Sequence, residues 1–293
     1  MVCRKGKFNL RTLIIDCSQL CFSASYSLGE LSFNEQKTGI IFGFLLQIFR
    51  LAHDFGTKDF IFCWDSKKRI RQRMYPQYKA DRKENKAFDE QIYHQVQLQM
   101  GYLREKIIPA MGFKNSFIKT GFEADDIIAC VVKQMPGSVV ISNDSDLYQL
   151  LGWCEMYSIK KKSRYYAKDM IQEYDVGPAD WIDVLAIAGT HNNVEGIEGA
   201  GIRKAIQYLK GRLSEGKIKE RIQSKEGQQI IERNKELIRL PLREMVFNIQ
   251  LPEVFDFDHW MNIFQRYDFR SFMNEKNIKN LKEVFFDELR PRI

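Results

Sequence analysis

Short apolar runs rich in β-branched and aromatic residues punctuate the first half of the chain, and segments with helical periodicity separate them. The four runs are residues 13–15, 60–64, 117–118 and 139–141. Between them, residues 40–51, 88–108 and 127–132 repeat apolar side chains at helical spacing, and Thr38 is a candidate N-cap for the first of these helices. Strands that alternate with helices predict a parallel sheet covered on both faces.

The pattern changes after about residue 175, where the remaining apolar periodicity is helical. The helices predicted there are residues 179–188, 202–209 and 228–238, with further helices after Phe257. We therefore predict an α/β domain at residues 1–175 and a helical region at residues 176–293. No proline-rich or glycine–serine linker separates the two parts of the sequence.

The composition favours a folded protein with a polyanionic partner. Of the 293 residues, 44% are hydrophobic, which is enough for a substantial core. The net charge of +7 favours a polyanion without identifying it. The six cysteines contain no CxxC pair, which indicates a reducing compartment. Because the N-terminus lacks a signal-peptide pattern and the longest apolar run, residues 39–46, is too short to span a membrane, we expect a soluble cytoplasmic protein.

Three of the apolar runs lead directly into acidic residues. Asp16 follows the first run, Asp65 follows the second, and Asp144 and Asp146 follow the last. Ligands of an open parallel sheet collect beyond the carboxyl ends of its strands, so these side chains are expected to converge. A further acidic group begins the helix that follows the third run: Glu123, Asp125 and Asp126.

Each acidic group also has a structural interpretation. Carboxylates in a first helical turn are stabilised by the helix dipole, and residues 143–146 have the composition of an ordinary turn. Taken singly, each group is better explained in this way. Taken together, carboxylates a few ångströms apart repel one another unless a cation neutralises them. An all-oxygen ligand set of this kind predicts Mg²⁺ or Mn²⁺.

A basic segment follows Asp65 almost at once. Eight of the seventeen residues at positions 67–83 are Lys or Arg, and Tyr75 and Tyr78 are interleaved with them. A solvated charged face is the usual explanation for such a run. The alternative is that cations hold phosphates while rings stack on bases, a combination that suits single-stranded nucleic acid. A second basic cluster at residues 160–164 is weaker and fits a simple hairpin surface.

A glycine-rich turn lies between two predicted helices, with glycines at positions 196, 199 and 201. Glycine lets a backbone approach a phosphate closely, and the helix that follows has free N–H groups at its start. Arg203 and Lys204 add positive charge in that first turn. The segment is either a tight turn between helices or a contact with the backbone of duplex DNA, and the basic residues favour the contact.

Together, these residues resemble the phage and bacterial 5′-nuclease family, which includes flap endonucleases and the 5′-nuclease domain of bacterial DNA polymerase I. The resemblance runs from about Leu13 to at least Ile202 and more faintly to residues 234–241. The matching motifs are Ile15-Asp-Cys-Ser, Trp64-Asp, Tyr78-Lys-Ala-Asp-Arg82, Phe122-Glu-Ala-Asp-Asp126 and Ser142-Asn-Asp-Ser-Asp146. The resemblance implies an α/β, parallel-sheet (PIN-like) nuclease core with a basic arch or clamp at residues 67–100. It also implies a helix-three-turn-helix at about residues 183–210 of the helical region.

The resemblance further implies a role for each candidate site residue. The implied metal ligands are Asp16, Asp65, Glu123, Asp125, Asp126, Asp144 and Asp146. The implied catalytic cations, which would neutralise the scissile phosphate, are Lys79, Arg71 and Arg82. The implied potassium ligands are the backbone carbonyls of Ala188, Glu195, Ile197 and Ala200. The implied DNA contacts are Tyr75, Tyr78, Gly196, Gly199, Gly201, Arg203 and Lys204.

The sequence departs from the family pattern at the glycine turn. Family members with a complete second metal site carry two aspartates there, and the corresponding positions in this chain are Gly189 and Asn192. The chain therefore resembles the subset of the family that lacks these ligands, and a second cation would lose two anionic partners. Asp183, one helical stretch earlier, is a candidate replacement.

The implied activity is Mg²⁺- or Mn²⁺-assisted hydrolysis of phosphodiester bonds in 5′-flap, branched or 5′-ended DNA, or in RNA primers, during replication or repair. The enzyme would be a monomer in the cytoplasm of a bacterial or phage-infected cell. One alternative is a branched-DNA-binding paralogue with a weakened or lost nuclease, which the missing carboxylates favour. The other is a ribonuclease of the related PIN type, which the glycine turn and the basic segment oppose. The sequence leaves the balance of endonuclease and exonuclease action open.

Overall fold

The computed structural model describes residues 11–80 and 90–286 of the chain. Its strands are β1 (Leu13–Asp16), β2 (Ser32–Phe33), β3 (Gln36–Lys37), β4 (Phe60–Trp64), β5 (Ser116–Ile118), β6 (Val139–Ile141), β7 (Glu155–Ser158), β8 (Ser163–Tyr165), β9 (Gly189–Thr190) and β10 (Val194–Glu195). Its α-helices are α1 (Cys17–Leu28), α2 (Gly39–Phe55), α3 (Ile70–Met74), α4 (Glu90–Tyr102), α5 (Ile108–Ala110), α6 (Ala124–Gln134), α7 (Ala167–Tyr174), α8 (Trp181–Ala188), α9 (Ile202–Leu209), α10 (Lys217–Gln223), α11 (Lys225–Ile238), α12 (Phe257–Arg266) and α13 (Glu275–Leu281).

The four predicted strands are present as β1, β4, β5 and β6. Strand β1 pairs with β4 in parallel, β6 pairs with β7 in parallel, and β7 pairs with β8 antiparallel. Every residue of β1, β4 and β6 is buried, which explains why these strands read as continuous apolar runs. The predicted α/β class with a mostly parallel sheet is therefore confirmed.

The hairpin of β7 and β8 lies outside the predicted strands because its residues are largely polar. Arg164 of β8 forms an ion pair with Glu155 of β7 at 3.0 Å, and this contact joins the two strands. The basic residues 160–162 lie in the turn between them. The interpretation of this cluster as a hairpin surface is thus confirmed.

The contacts within the chain define two compact units. The first comprises residues 1–64, 89–117 and 247–293, and the second comprises residues 65–88 and 118–246. These units do not follow the boundary predicted near residue 175, and that boundary stays a proposal about the sequence. The segment after residue 175 is mainly helical as predicted, although it also contains the short antiparallel pair of β9 and β10.

Helix α2 of the first unit receives its N-terminal cap from a distant side chain. Thr38 occupies the predicted N-cap position, but its side chain makes no capping hydrogen bond. Instead, the Gln99 side-chain oxygen of α4 accepts hydrogen bonds from the N–H groups of Ile40 (3.1 Å) and Ile41 (3.3 Å). These bonds satisfy two of the N–H groups that a helix start leaves unpaired.

The late part of the chain packs into the same first unit through polar and aromatic contacts. The buried Glu253 side chain accepts hydrogen bonds from the backbone N–H of Lys114 (2.7 Å) and from the Asn115 amide (3.1 Å). Trp260 of α12 stacks on Phe49 of α2 at a ring distance of 5.4 Å. Within the described ranges, no helix has the length and apolar character needed to cross a membrane.

Candidate active site

One group of acidic side chains in the second unit lies around the start of α6. Glu123 is the N-cap residue of this helix, and its backbone N–H donates to the Asp126 carboxylate at 3.1 Å. Asp65 accepts a hydrogen bond from the Ala124 N–H at 3.0 Å. Asp125 lies in the first turn and is half-buried. Because a helix start presents free N–H groups and a positive dipole end, it stabilises this group of carboxylates.

Asp126 and Arg71 form a buried bidentate pair. The two terminal guanidinium nitrogens of Arg71 donate to the Asp126 oxygens at 2.6 and 2.8 Å. Arg71 also donates to the carbonyls of Leu237 (2.7 Å) and Arg239 (3.0 Å) and to the Glu123 carboxylate (3.4 Å). Burial lowers the pKa of Arg71, but its bonds to Asp126 outweigh this effect and raise it overall. The guanidinium thus joins α6 to residues 237–242.

This pairing differs from the roles predicted for both residues. Asp126 also accepts a hydrogen bond from the Leu242 N–H at 2.8 Å, so each carboxylate oxygen receives two donors. A carboxylate offers about four acceptor positions, so a metal ion at Asp126 would have to displace one of these donors. Arg71 is 3% exposed and directs its donors at protein atoms, because the buried carboxylate needs its charge. In this arrangement, it does not present a cation to a phosphate.

Glu123 is surrounded by three cations and a tyrosine. Lys79 Nζ donates to one of its oxygens and the Tyr78 hydroxyl donates to the other at 2.7 Å. Arg69 and Arg71 each approach it to 3.4 Å. Burial raises the pKa of Glu123, but Lys79 and Arg71 together lower it to about 2. The protein itself therefore neutralises this carboxylate.

A second group of possible metal ligands lies in the same unit, after β6 in the chain. Asp144 accepts a hydrogen bond from the Asp146 N–H at 2.8 Å, and this bond caps a short 3₁₀ turn. The Asn192 amide donates to Asp146 at 3.0 Å, and His191 Nε2 lies 3.9 Å from the Asp144 carboxylate. Burial, followed by the charge of Asp144, raises the pKa of Asp146 to about 6, although His191 and Lys79 oppose the shift.

Lys79 lies between these two groups. Its ammonium contacts Glu123, while its backbone N–H donates to the Asn192 carbonyl at 2.9 Å. Asn192 in turn contacts Asp146. The backbone of Lys79 is left-handed (φ 58°), and the residue is 8% exposed. The residue expected to stabilise the transition state is thus a buried cation within the acidic site.

The other residues predicted at the site have varied placements. Asp16 ends β1 in the first unit, is buried, and caps α1 by accepting a hydrogen bond from the Gln19 N–H at 3.2 Å. Its predicted convergence with the carboxylates of the second unit stays a prediction. Arg82 lies outside the described residues. Asp183 forms an ion pair with Lys235 at 2.9 Å, so its carboxylate already has a cationic partner.

The two tyrosines of the basic segment have different surroundings. Tyr78 is 5% exposed and donates to Glu123, so its ring is not presented for stacking on a base. Tyr78 was predicted to contact DNA, but its hydroxyl instead supplies a hydrogen bond that the buried Glu123 carboxylate needs. Tyr75 is half-buried, and the Arg233 guanidinium lies 4.7 Å from its ring centre. Its ring therefore already carries a cation.

The glycine turn joins α8 to α9 by closely approaching backbones. A Cβ at Gly196 would lie 2.3 Å from the Ala188 carbonyl carbon, so only glycine fits there. Gly199 has a φ of 79°, which also favours glycine, and Gly201 is the N-cap of α9. Arg203 and Lys204 are both exposed in the first turn of α9. The glycine turn thus connects α8 to a second helix, α9, whose start is basic and exposed, and the helix-three-turn-helix stays a prediction.

The carbonyls predicted to hold potassium are partly engaged with protein donors. The Glu195 carbonyl accepts hydrogen bonds from the Asn234 amide (2.9 Å) and the Arg233 guanidinium (3.1 Å). The Ile197 carbonyl accepts a hydrogen bond from the Ala200 N–H at 2.9 Å. The Asn234 amide also donates to the Ala186 carbonyl at 2.9 Å. Side chains of α11 thus hold part of the turn.

Three residues near the site, His191, Arg69 and Arg233, are not predicted from the sequence. His191 lies between Gly189 and Asn192, the two positions at which the chain departs from the family pattern. Arg69 and Arg233 were indistinguishable from other basic residues, because a sequence does not show which cations are turned inward. A signal for His191 did exist, since it is a potential metal ligand beside two positions where ligands are missing.

The buried lysine beside a carboxylate, the Asp144–Asp146–His191 group and the exposed basic residues at the start of α9 fit a metal-dependent nuclease. A model of the family described as "5′-3′ exonuclease, N-terminal resolvase-like domain" matches residues 11–175. This match covers more than half of the chain, and the chain therefore belongs to the 5′-3′ exonuclease family.

Curated relatives agree with this family. A 5′-3′ exonuclease of Buchnera aphidicola subsp. Schizaphis graminum is 28% identical over 207 residues, which cover 68% of this chain and 69% of that protein. DNA polymerase I of Rhizobium leguminosarum is 32% identical over 217 residues, which cover 67% of this chain but only 20% of the polymerase. The chain thus spans about a fifth of the polymerase relatives.

Solved structures show the same fold at lower identity. The T5 D15 protein co-crystallised with metal ions has a TM-score of 0.66 at 21% identity, over 79% of this chain and 90% of that one. The catalytic core of Rad2 in complex with DNA substrate has a TM-score of 0.57 at 15% identity, over 95% of this chain and 93% of that one. These likenesses confirm the predicted nuclease fold.

Proposed function

We propose that this protein is a structure-specific 5′ nuclease that hydrolyses phosphodiester bonds of 5′-flap, branched or 5′-ended DNA in replication or repair. The observation that carries the proposal is the position of Lys79, which contacts Glu123 through its ammonium and Asn192 through its backbone. A buried cation therefore lies near the Asp144 and Asp146 carboxylates, where the charge of a reacting phosphate would develop.

The similar proteins support DNA as the substrate class. The relatives are a 5′-3′ exonuclease and DNA polymerases, and two of the similar structures contain a DNA substrate and a Holliday junction. RNA–DNA hybrids as further substrates, a monomeric state and the cytoplasm of a bacterial or phage-infected cell remain proposals from the sequence.

The carboxylates of the site suit a divalent cation as ligands, and we propose that this cation is Mg²⁺ or Mn²⁺. Asp144 and Asp146 are the proposed ligands in the second group, and Asp65, Asp125 and Asp16 are further proposed ligands. Such a cation would supply Lewis-acid chemistry, namely the activation of water and the neutralisation of phosphate charge. Asp146 suits this role because it is buried beside a like charge, which disfavours its ionised form unless a cation is near.

The chain's own residues divide the remaining tasks. Lys79 is the proposed catalytic cation, and Glu123 holds its ammonium in place. Arg71 and Asp126 are proposed as positioning residues, since their bonds fix the start of α6 against residues 237–242. Arg203 and Lys204 are proposed contacts to the backbone of duplex DNA.

The experiment that tests this function is incubation of the protein with a 5′-labelled flap duplex in Mg²⁺, in Mn²⁺ and without metal. We expect metal-dependent release of the flap, with a 5′-phosphate and a 3′-hydroxyl at the cut. Binding of the flap duplex without cleavage in either metal would favour the branched-DNA-binding paralogue, for which the glycine at position 189 and the amide at Asn192 are the motivating observations. Cleavage of single-stranded RNA alone would favour the PIN-type ribonuclease.

Replacing Arg203 and Lys204 together with alanine should weaken the salt dependence of DNA binding. Both side chains are exposed in the first turn of α9, so their charges are available to phosphates. Each phosphate contact that is lost reduces the slope of log affinity against log salt by about one unit, so we expect a decrease of about 1–2 units. The slope is measured from the affinity for the flap duplex in Ca²⁺ at several salt concentrations. An unchanged slope would place the duplex contact elsewhere.

DNA binding should depend little on potassium. The Glu195 carbonyl already accepts hydrogen bonds from Asn234 and Arg233. Because a carbonyl oxygen has two lone pairs, K⁺ would have to displace a donor, and replacing K⁺ with Na⁺ should change the Kd for duplex DNA by no more than about twofold. A tenfold loss of affinity in Na⁺ at equal ionic strength would instead favour K⁺ bound to the four predicted carbonyls.

A further inference from the structure

The short hairpin of β9 and β10 controls which side chains of the glycine turn can reach the Asp144 and Asp146 carboxylates. Its turn consists of residues 191–193, and Asn193 has a left-handed backbone (φ 58°). The Asn192 N–H donates to the Thr190 hydroxyl at 3.2 Å, which tightens the turn. This geometry brings the His191 ring to the edge of the carboxylate group.

Position 189 of this hairpin is closed to any side chain. Gly189 has a φ of 79°, and a Cβ there would lie 2.6 Å from both the Gly196 nitrogen and the Val194 oxygen. Backbone atoms at that distance cannot be displaced without opening the hairpin. An acidic ligand therefore cannot occupy this position in the observed backbone. Asn192 is engaged as a donor to Asp146, so it orients that carboxylate.

His191 completes a group of three donors at metal-ligand spacing. One ligand atom from each of Asp144, Asp146 and His191 lies within 4.8 Å of the other two. Ligands of one ion sit about 2.0–2.2 Å from it, so their mutual distances reach about 4.4 Å and only a small contraction is required. The His191 side chain is 58% exposed and that of Asp144 is 21% exposed, so an ion can enter from solvent.

Resting on the proposed nuclease function, we propose that His191 supplies a ring nitrogen to the same divalent cation as Asp144 and Asp146. The site is then a mixed nitrogen and oxygen site, in which a histidine replaces part of the missing carboxylate set. The two carboxylates provide less negative charge than a four-carboxylate site, which weakens the binding of Mg²⁺. Imidazole nitrogen suits transition metals better, so the site should prefer Mn²⁺ to Mg²⁺.

Pulsed electron paramagnetic resonance of bound Mn²⁺ tests this assignment in the full chain without DNA. We expect the nitrogen coupling of a coordinated imidazole in the parent protein and in His259→Gln, which removes an exposed histidine of α12. The coupling should disappear in His191→Gln, and calorimetry should show Mn²⁺ affinity reduced by about 10–100-fold at one site. Bound Mn²⁺ without nitrogen coupling in the parent, or coupling unchanged in His191→Gln, would overturn the proposal.

His191→Asp tests the consequence for metal choice. A carboxylate in place of the imidazole gives an all-oxygen site, so the ratio of Mn²⁺ to Mg²⁺ affinity should decrease relative to the parent protein. An unchanged ratio would show that His191 does not contact the ion. These measurements are independent of activity: nitrogen coupling without flap cleavage in any metal would overturn only the nuclease function. Flap cleavage without nitrogen coupling would overturn only the role of His191.

Discussion

Lys79→Ala is expected to slow single-turnover cleavage of a 5′-flap duplex by about 10²–10³, while the Kd for that duplex in Ca²⁺ changes only a few-fold. Lys79 is one of many basic residues in its segment, so it adds modestly to binding of the ground state. Its ammonium contacts Glu123, and its backbone N–H donates to Asn192, which in turn contacts Asp146. A phosphate at this site would gain charge only in the transition state. Loss of one preorganised charge of this kind costs about 3–4 kcal/mol of transition-state stabilisation.

Controls for this variant follow from the surroundings of Lys79. Glu123 keeps Tyr78 and two arginines as partners, so the variant should stay folded, which a thermal unfolding curve checks. The left-handed backbone at position 79 strains lysine and alanine alike. Lys68→Ala removes an exposed cation from the same segment and should leave the cleavage rate nearly unchanged. If cleavage and affinity fall together in Lys79→Ala, Lys79 is a phosphate anchor and not a catalytic residue.

The sheet could be predicted from the sequence because its central strands are buried. Burial of every residue in β4 and β6 produces continuous apolar runs, which local pattern alone reveals. The hairpin of β7 and β8 lacks this signal, since a cross-strand ion pair between Arg164 and Glu155 joins polar strands. The cap on α2 could not be predicted either, because Gln99 lies about sixty residues along the chain from the two backbone N–H groups that donate to it.

The acidic site could be predicted only in part, for an electrostatic reason. The sequence shows the carboxylates but not the cations that face them, and the predicted metal site assumes that the carboxylates face one another. Glu123 and Asp126 are instead paired with Lys79 and Arg71, which lie 44 and 55 positions earlier. Like-charge repulsion thus persists mainly at Asp144 and Asp146, where the pKa of Asp146 rises to about 6. Protein cations leave less negative charge for a metal than the residue count suggests.

Residues 237–242 show why a late segment of the sequence matters to this site. The carbonyls of Leu237 and Arg239 accept from Arg71, and the Leu242 N–H donates to Asp126. The Gln149 side chain adds two bonds, one to the Ile238 carbonyl and one from the Leu240 N–H. The start of α6 is therefore held by a segment that the sequence linked to it only through a faint motif.

Arg71→Ala is expected to destabilise the protein by about 3–5 kcal/mol, because Asp126 is wholly buried and would keep an uncompensated charge. Urea unfolding should show the loss, and hydrogen exchange should show faster opening of residues 237–242, which lose two donors. Arg71→Lys should recover only part of the loss, since an ammonium restores the positive charge but cannot form the bidentate pair and both carbonyl bonds. The double variant Asp126→Ala with Arg71→Ala should lose clearly less free energy of unfolding than the two single variants lose in sum, because the buried charge is then absent. Additive costs, or fast exchange spread evenly over the chain, would show that the pair does not tie α6 to residues 237–242.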